Sequence, residues 1–147
     1  MWALVTGASS GIGRDMARYL YGLGYNLIKV ARDLSKLEEL KAELEQNNKK
    51  QEIIVIAKDL SSKENCIEIY NQTKNIELDL LVNNAGFGTF GEFSKTDLEK
   101  EVNLINTNIT AVHILTKLYL QDMLKRNKGH ILNVASIAGM EPGPLMA

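Results

Sequence analysis

Three glycines, at positions 7, 11 and 13, follow the apolar run Ala3-Leu4-Val5 and lead into a helical pattern of Met16, Ala17 and Leu20. Strand, tight turn and helix in that order leave the first N–H groups of the helix unpaired, at the positive end of its dipole, where an anion can approach. Gly7 can take the positive φ of a sharp turn. Gly11 and Gly13 lack the Cβ atoms that would hold a phosphate or neighbouring backbone away. Ser9 and Ser10 add hydroxyls to this cradle or cap the helix, and Ile12 completes the string Thr6-Gly7-Ala8-Ser9-Ser10-Gly11-Ile12-Gly13. A Gly-rich connecting turn would account for a lone glycine match. The strand in front, the helix behind and the full spacing point instead to a dinucleotide pyrophosphate.

Such a site expects, after the second strand, an acid for the adenosine ribose or an arginine for a 2′-phosphate. Arg32 stands there, 19 positions after Gly13, with Asp33 beside it. A guanidinium fork matches phosphate oxygens and stacks on adenine, which favours NADP(H) over NAD(H). The rival readings are a solvated Arg32 beside an Asp33 that caps the next helix, or an NAD(H) site built on Asp33. Asp59 and Leu60 follow the third strand, where an acceptor meets the adenine amino group and an apolar side chain its face. A plain strand-end turn fits the same spacing. Asn83 to Gly86 and Ser136 end the fourth and fifth strands. Ser136 suits either a hydrogen bond to a substrate oxygen or a turn hydroxyl bonded to its own backbone.

The elements that must position these groups alternate strand and helix. After Gly22 and Gly24, residues Asn26 to Ala31 read as a strand, and Ser35-x-x-Glu38 as the capping box of a helix carrying Leu37, Leu40 and Leu44. The polar run 46–51 is a surface loop. Glu52 to Ala57 is a strand buried on both faces, Ser61-x-x-Glu64 opens a third helix, and Leu78 to Val82 is the fourth strand. Thr96-x-x-Glu99 opens the longest helix, whose apolar stripe is Leu98, Val102, Ile105, Ile109 and Val112, reaching about Met123; His130 to Ala135 is the fifth strand, followed by a Gly/Pro loop. This is an α/β, Rossmann-type doubly wound parallel sheet in a single domain, with ligands expected beyond the carboxyl ends of its strands.

With 147 residues and a formal charge of −1, the chain shows neither a nucleic-acid surface nor a membrane span. Its densest basic spot, Lys49-Lys50, is solvated surface. The lone Cys66 reads as a buried, inert thiol in a reducing cytoplasm, and His113 and His130 lack metal-ligand spacing, so no metal site is expected.

Taken together, Thr6-Gly7-x-x-x-Gly11-x-Gly13, Asp59-Leu60, Asn83-Asn84-Ala85-Gly86, Asn108 and Asn133-Val134-Ala135-Ser136 resemble the short-chain dehydrogenase/reductase family over almost the whole chain. The resemblance implies that Gly7, Gly11 and Gly13 hold the pyrophosphate and that Asn84 and Gly86 lie beside the cofactor. It also implies that Ser136 orients the oxygen of a small carbonyl or alcohol substrate and that Asn108 supports a proton relay through water. The family's proton donor, the tyrosine of a Tyr-x-x-x-Lys motif, falls just past Ala147. Tyr25-x-x-x-Lys29 cannot replace it, because in a strand its side chains lie ~13 Å apart. Tyr70-x-x-x-Lys74 sits at the opposite edge of the sheet. The sequence therefore reads as an N-terminal portion whose remaining strands and helices would cover the fifth strand's edge and the long helix, with a homo-oligomer in the full-length protein. By itself it is expected to bind NADP(H) weakly and to lack reductase activity. A non-catalytic NADP(H)-binding sensor is the alternative function; a methyltransferase suits the glycine spacing and Arg32 less well.

Overall fold

In the computed structural model, which describes residues 1–46, 50–141 and 143–146, five strands form one parallel sheet. The chain runs β1 (Trp2–Thr6), α1 (Gly11–Gly22), β2 (Asn26–Ala31), α2 (Leu34–Glu45), β3 (Ile53–Ala57), α3 (Lys63–Thr73) and β4 (Leu78–Asn83). After a short 3-10 turn at Phe93–Lys95 come α4 (Leu98–Ile105), a π-turn at Asn106–Thr110, α5 (Ala111–Arg126), β5 (His130–Asn133) and a second 3-10 turn at Ile137–Gly139. The centre of the predicted 46–51 loop, Pro142 in the Gly/Pro loop, and Lys49 of the basic pair lie outside the described residues.

The strand order is β3-β2-β1-β4-β5, with Leu4 level with Ile28 on one side and Leu81 on the other. The chain therefore reverses direction across the sheet between β1 and β4, which opens a crevice at their carboxyl ends. The pleat sends Ala3 and Val5 to one face, where they pack with Ala17, Leu20, Leu37 and Leu40 of α1 and α2. Leu4 and Ile28 face the other core, with Ile69 of α3 and Leu115 and Tyr119 of α5. Both faces are covered at the central strands β2, β1 and β4, as their near-continuous apolar runs require, while β3 is partly buried and β5 mostly exposed.

Three details correct the sequence reading. The helices capped by side chains begin at neighbours of the expected boxes: Asp33 accepts from the Lys36 N–H, Ser62 from Asn65 and Asp97 from Lys100. A carboxylate at the helix start gains both the hydrogen bond and the dipole, which favours Asp33 and Asp97 over Ser35 and Thr96. Ser61 is instead held in a turn, its N–H donating to Asp59 Oδ1 at 2.9 Å. The long helix is divided by the π-turn, and the apolar stripe is not its core face: Leu98, Val102, Ile105 and Ile109 are exposed, whereas Ala111, Leu115, Tyr119 and Met123 are buried. Leu98, Val102 and Ile105 lie ahead of the π-turn in α4, which buries none of its residues, so this half of the helix carries the uncovered apolar face that the sequence reading expected.

Lys29, in the middle of β2, is fully buried beneath α2, and its Nζ donates to the Leu37 carbonyl at 2.8 Å. Burial pushes its ammonium down from 10.5 to about 8. Below pH 8 the lysine is charged in both states and the fold carries the full cost, about 3 kcal/mol; the cost fades as pH rises through 8 toward 10.5. Lys29→Met is therefore expected to stabilise the fold by about 2 kcal/mol at pH 7 and to abolish the rise in stability between pH 8 and 10. Urea unfolding at pH 7 and 9.5 measures both; a methionine variant less stable at pH 7 would count against it.

Candidate cofactor and active site

At the carboxyl end of β1 the backbone turns through Gly7, whose φ is +66°, and Gly11 starts α1 at φ +52°, both in the left-handed region that favours glycine. Gly13 is required by packing. A Cβ there would lie 2.4 Å from Asn84 Nδ2 and 2.4 Å from the Gly7 carbonyl oxygen. A Cβ on Gly11 would meet nothing within 4 Å, so that face of the turn is open to a ligand. Ser10 is the N-cap residue, in an extended conformation, yet its hydroxyl makes no capping bond and the first turn of α1 carries no acid. The α1 amino terminus thus keeps its N–H groups and Ser10 hydroxyl uncommitted, with Ser10, Gly11 and Ile12 exposed and Ser9 half-buried.

Thr6, quoted above only as part of the glycine string, ties β1 to β4. Its hydroxyl donates to the Val82 carbonyl at 3.2 Å and accepts from the N–H groups of Asn84 and Ala85, both at 2.9 Å. The Asn84 side chain donates back to the Thr6 carbonyl at 2.9 Å, which holds it against Gly7 and Gly13. Next along, Gly86 approaches Asn108 closely enough that a Cβ would lie 3.1 Å from Oδ1. Asn108 sits in the π-turn and clamps Phe87, accepting from its N–H at 3.1 Å and donating to its carbonyl at 2.8 Å. Glycine turn, Asn84, Gly86 and Asn108 therefore form one contiguous rim.

Arg32 and Asp59 come together in an open cleft of about 460 Å³ beyond β2 and β3, also lined by Ser61, Phe87 and residues of the α4 region. Asp33 is engaged as the α2 cap, and the Lys36 N–H holds its carboxyl below its usual range. Arg32 is exposed and has no ion pair among the described residues. Leu60 is 5% exposed and lies in the core cluster with Ile56 and Cys66, beside the Asp59 turn. Sequence reasoning missed the α4 wall of this cleft. Lys100, Asn103 and Thr107 line it at helical steps of three and four, a polar face to which the sequence reading gave no role.

Ser136 follows β5 on the same rim, exposed, its Oγ accepting from the Ala138 N–H at 3.2 Å. The two internal Tyr-x-x-x-Lys strings are unsuited to proton donation. Lys29 is sealed in the core, and Tyr70 donates to Asp122 at 2.7 Å, a carboxylate that pushes the phenol pKa up. Burial raises the Cys66 thiol to about 11, so it is an inert core group. No helix of the described residues is long and apolar enough to cross a membrane.

Residues 1–147 match the family described as short chain dehydrogenase. The chain is 38% identical to the very-long-chain 3-oxoacyl-CoA reductase-B of Danio rerio over 153 residues, covering 99% of this chain and 48% of that protein. The corresponding reductase of Anas platyrhynchos is 35% identical, with the same coverage. The chain thus spans about half the length of the curated relatives it matches. Among solved structures, a metagenomic short-chain oxidoreductase in complex with NADP superimposes with a TM-score of 0.93 at 33% identity, over 100% of this chain and 67% of that one. The bulky-bulky ketone specific alcohol dehydrogenase of Comamonas testosteroni gives a TM-score of 0.91 at 33% identity, over 96% of this chain and 57% of that one. Sequence and fold agree along the whole length, and the chain belongs to the short-chain dehydrogenase family of oxidoreductases.

Proposed function

We propose that the protein carrying this sequence is an NADP(H)-dependent oxidoreductase that interconverts a carbonyl and a hydroxyl group on a small molecule. The observation that carries this reading is the α1 amino terminus. Among α1 to α4, only α1 lacks a side-chain cap, and it lies at the reversal of strand order behind a turn that admits no Cβ at Gly13. The backbone from Gly7 to Gly13, with the hydroxyls of Ser9 and Ser10, holds a pyrophosphate there. Arg32 takes the 2′-phosphate, because Asp33 is committed to its helix, and Asp59 faces the adenine. Asn84 and Gly86 flank the nicotinamide end.

A bound nicotinamide supplies the hydride. For the substrate, the Ala138 N–H fixes Ser136 Oγ as an acceptor and so leaves the Ser136 hydroxyl proton free to donate to the carbonyl oxygen. The Asn108 side chain clamps Phe87 and anchors the π-turn, from which Asn108 supports a proton relay through water. The names of the curated relatives make a 3-oxoacyl thioester the first substrate to test, and a lone buried thiol suits the cytoplasm.

Fluorescence titration of the full-length protein with NADPH and NADH, alongside turnover of carbonyl substrates, tests the proposal. NADPH is expected to bind more tightly. Arg32→Gln should weaken it by about tenfold to a hundredfold, the worth of one charged hydrogen-bonding group, and leave NADH unchanged. Tight binding without turnover of any carbonyl would favour a sensor, and a preference for NADH would overturn the cofactor assignment.

A further inference from the structure

We propose that Lys100 is a second cation for the adenosine 2′-phosphate, reaching the cofactor cleft from α4 while Arg32 reaches it from the end of β2. This rests on the NADP(H) reading above and adds a specificity residue on a separate element. Lys100 and Arg32 line the same open cleft, and neither makes an ion pair or side-chain hydrogen bond among the described residues, although Asp59, Asp97 and Glu99 line it too. Two of those carboxylates are turned to backbone: Asp59 Oδ1 accepts from Ser61 N–H and Asp97 Oδ1 from Lys100 N–H at 2.8 Å. Both cations are left free for a ligand.

The local fold gives Lys100 no other task. It sits in the first turn of α4, where the helix dipole disfavours a cation and accounts well for its neighbours Glu99 and Glu101. Asn103 and Thr107, one and two turns further on, line the cleft as well, so this face of α4 is turned toward it. A flexible four-carbon stem carrying an ammonium suits a phosphate whose position is set by a rigid guanidinium fork elsewhere. Glu99 is the cleft carboxylate not engaged with backbone among the described residues, beside Asp59 and Asp97, and removing its charge should favour a dianionic group.

The test uses the full-length protein, with Kd measured for NADPH and NADH at two ionic strengths. Lys100→Gln is expected to weaken NADPH about tenfold, with a shallower dependence on salt, and to leave NADH within about twofold. Lys100→Arg should retain most of the NADPH affinity, and Glu99→Gln should raise it several-fold. NADPH affinity unchanged in Lys100→Gln, or NADPH and NADH weakened equally, would overturn the proposal. If Arg32→Gln leaves the preference intact while Lys100→Gln removes it, Lys100 stands and the Arg32 assignment fails. If the unaltered protein does not prefer NADPH at all, both fall.

Discussion

Alanine at position 13 is expected to destabilise the protein by roughly 3 kcal/mol and to abolish tight dinucleotide binding, although it adds one methyl group. The methyl carbon would lie 2.4 Å from Asn84 Nδ2 and 2.4 Å from the Gly7 carbonyl oxygen. Neither neighbour can give way cheaply. The Asn84 amide is held by its bond to the Thr6 carbonyl, and Gly7 is backbone fixed at φ +66° within the turn. Relief must come from displacing α1 from the ends of β1 and β4, which moves the N–H groups proposed to hold the pyrophosphate. For a domain of this size 1 kcal/mol corresponds to about 2–4 °C, so the melting temperature should fall by roughly 6–12 °C. Gly11→Ala is the contrasting variant. Its Cβ meets no protein atom within 4 Å and only the φ of +52° opposes it, so it should cost about 1 kcal/mol and act mainly on binding. A Gly13→Ala protein that melts within about 2 °C of the parent would refute the packing argument.

The difference between those two glycines marks what the sequence could and could not reveal. Their spacing was enough to place a tight turn between β1 and α1, because strand, glycine string and helix are contiguous. The positive φ of Gly7 and the close approach at Gly13 follow that reading, whereas the positive φ of Gly11 was not expected, and the side chain that crowds Gly13, Asn84, lies more than seventy residues away. Strand β2 matched its predicted span, since an apolar run between Gly24 and the Arg32-Asp33 pair has no competing boundary. The helix starts were less legible: every predicted capping box lay one or two residues from the cap actually used, because Ser, Thr and Asp cluster there and only backbone geometry decides among them. The stripe from Leu98 to Ile109 showed a regular period, and its outward face agrees with the uncovered helix expected from the sequence; the π-turn that divides that helix leaves no mark in hydrophobic spacing. The wall supplied by Lys100, Asn103 and Thr107 was hidden for a related reason. A polar helical face looks the same whether it meets solvent or a cleft.

Thr6→Val carries the same logic into the link between β1 and β4. Valine conserves the volume of a side chain that is 2% exposed, so any effect is due to the hydroxyl. That oxygen accepts from the N–H groups of Asn84 and Ala85 and donates to the Val82 carbonyl. Without it two backbone donors at the edge of the core lose their acceptor, at roughly 1–3 kcal/mol each, and an expected total of about 3 kcal/mol follows if water reaches one of them. Thr6→Ser keeps the oxygen and should cost only about 1 kcal/mol for the lost methyl. Chemical denaturation of both variants separates the hydroxyl from the packing; equal losses would sink the assignment. The Thr6 hydroxyl holds the Asn84 backbone N–H, and a Cβ at position 13 would press on the Asn84 side chain, so Thr6→Val and Gly13→Ala disturb the same residue and should not add. The double variant is expected to fall short of the sum by at least about 0.5 kcal/mol. Since Asn84 belongs to the rim proposed to hold the cofactor, Thr6→Val is also expected to lose NADPH affinity where Thr6→Ser retains it.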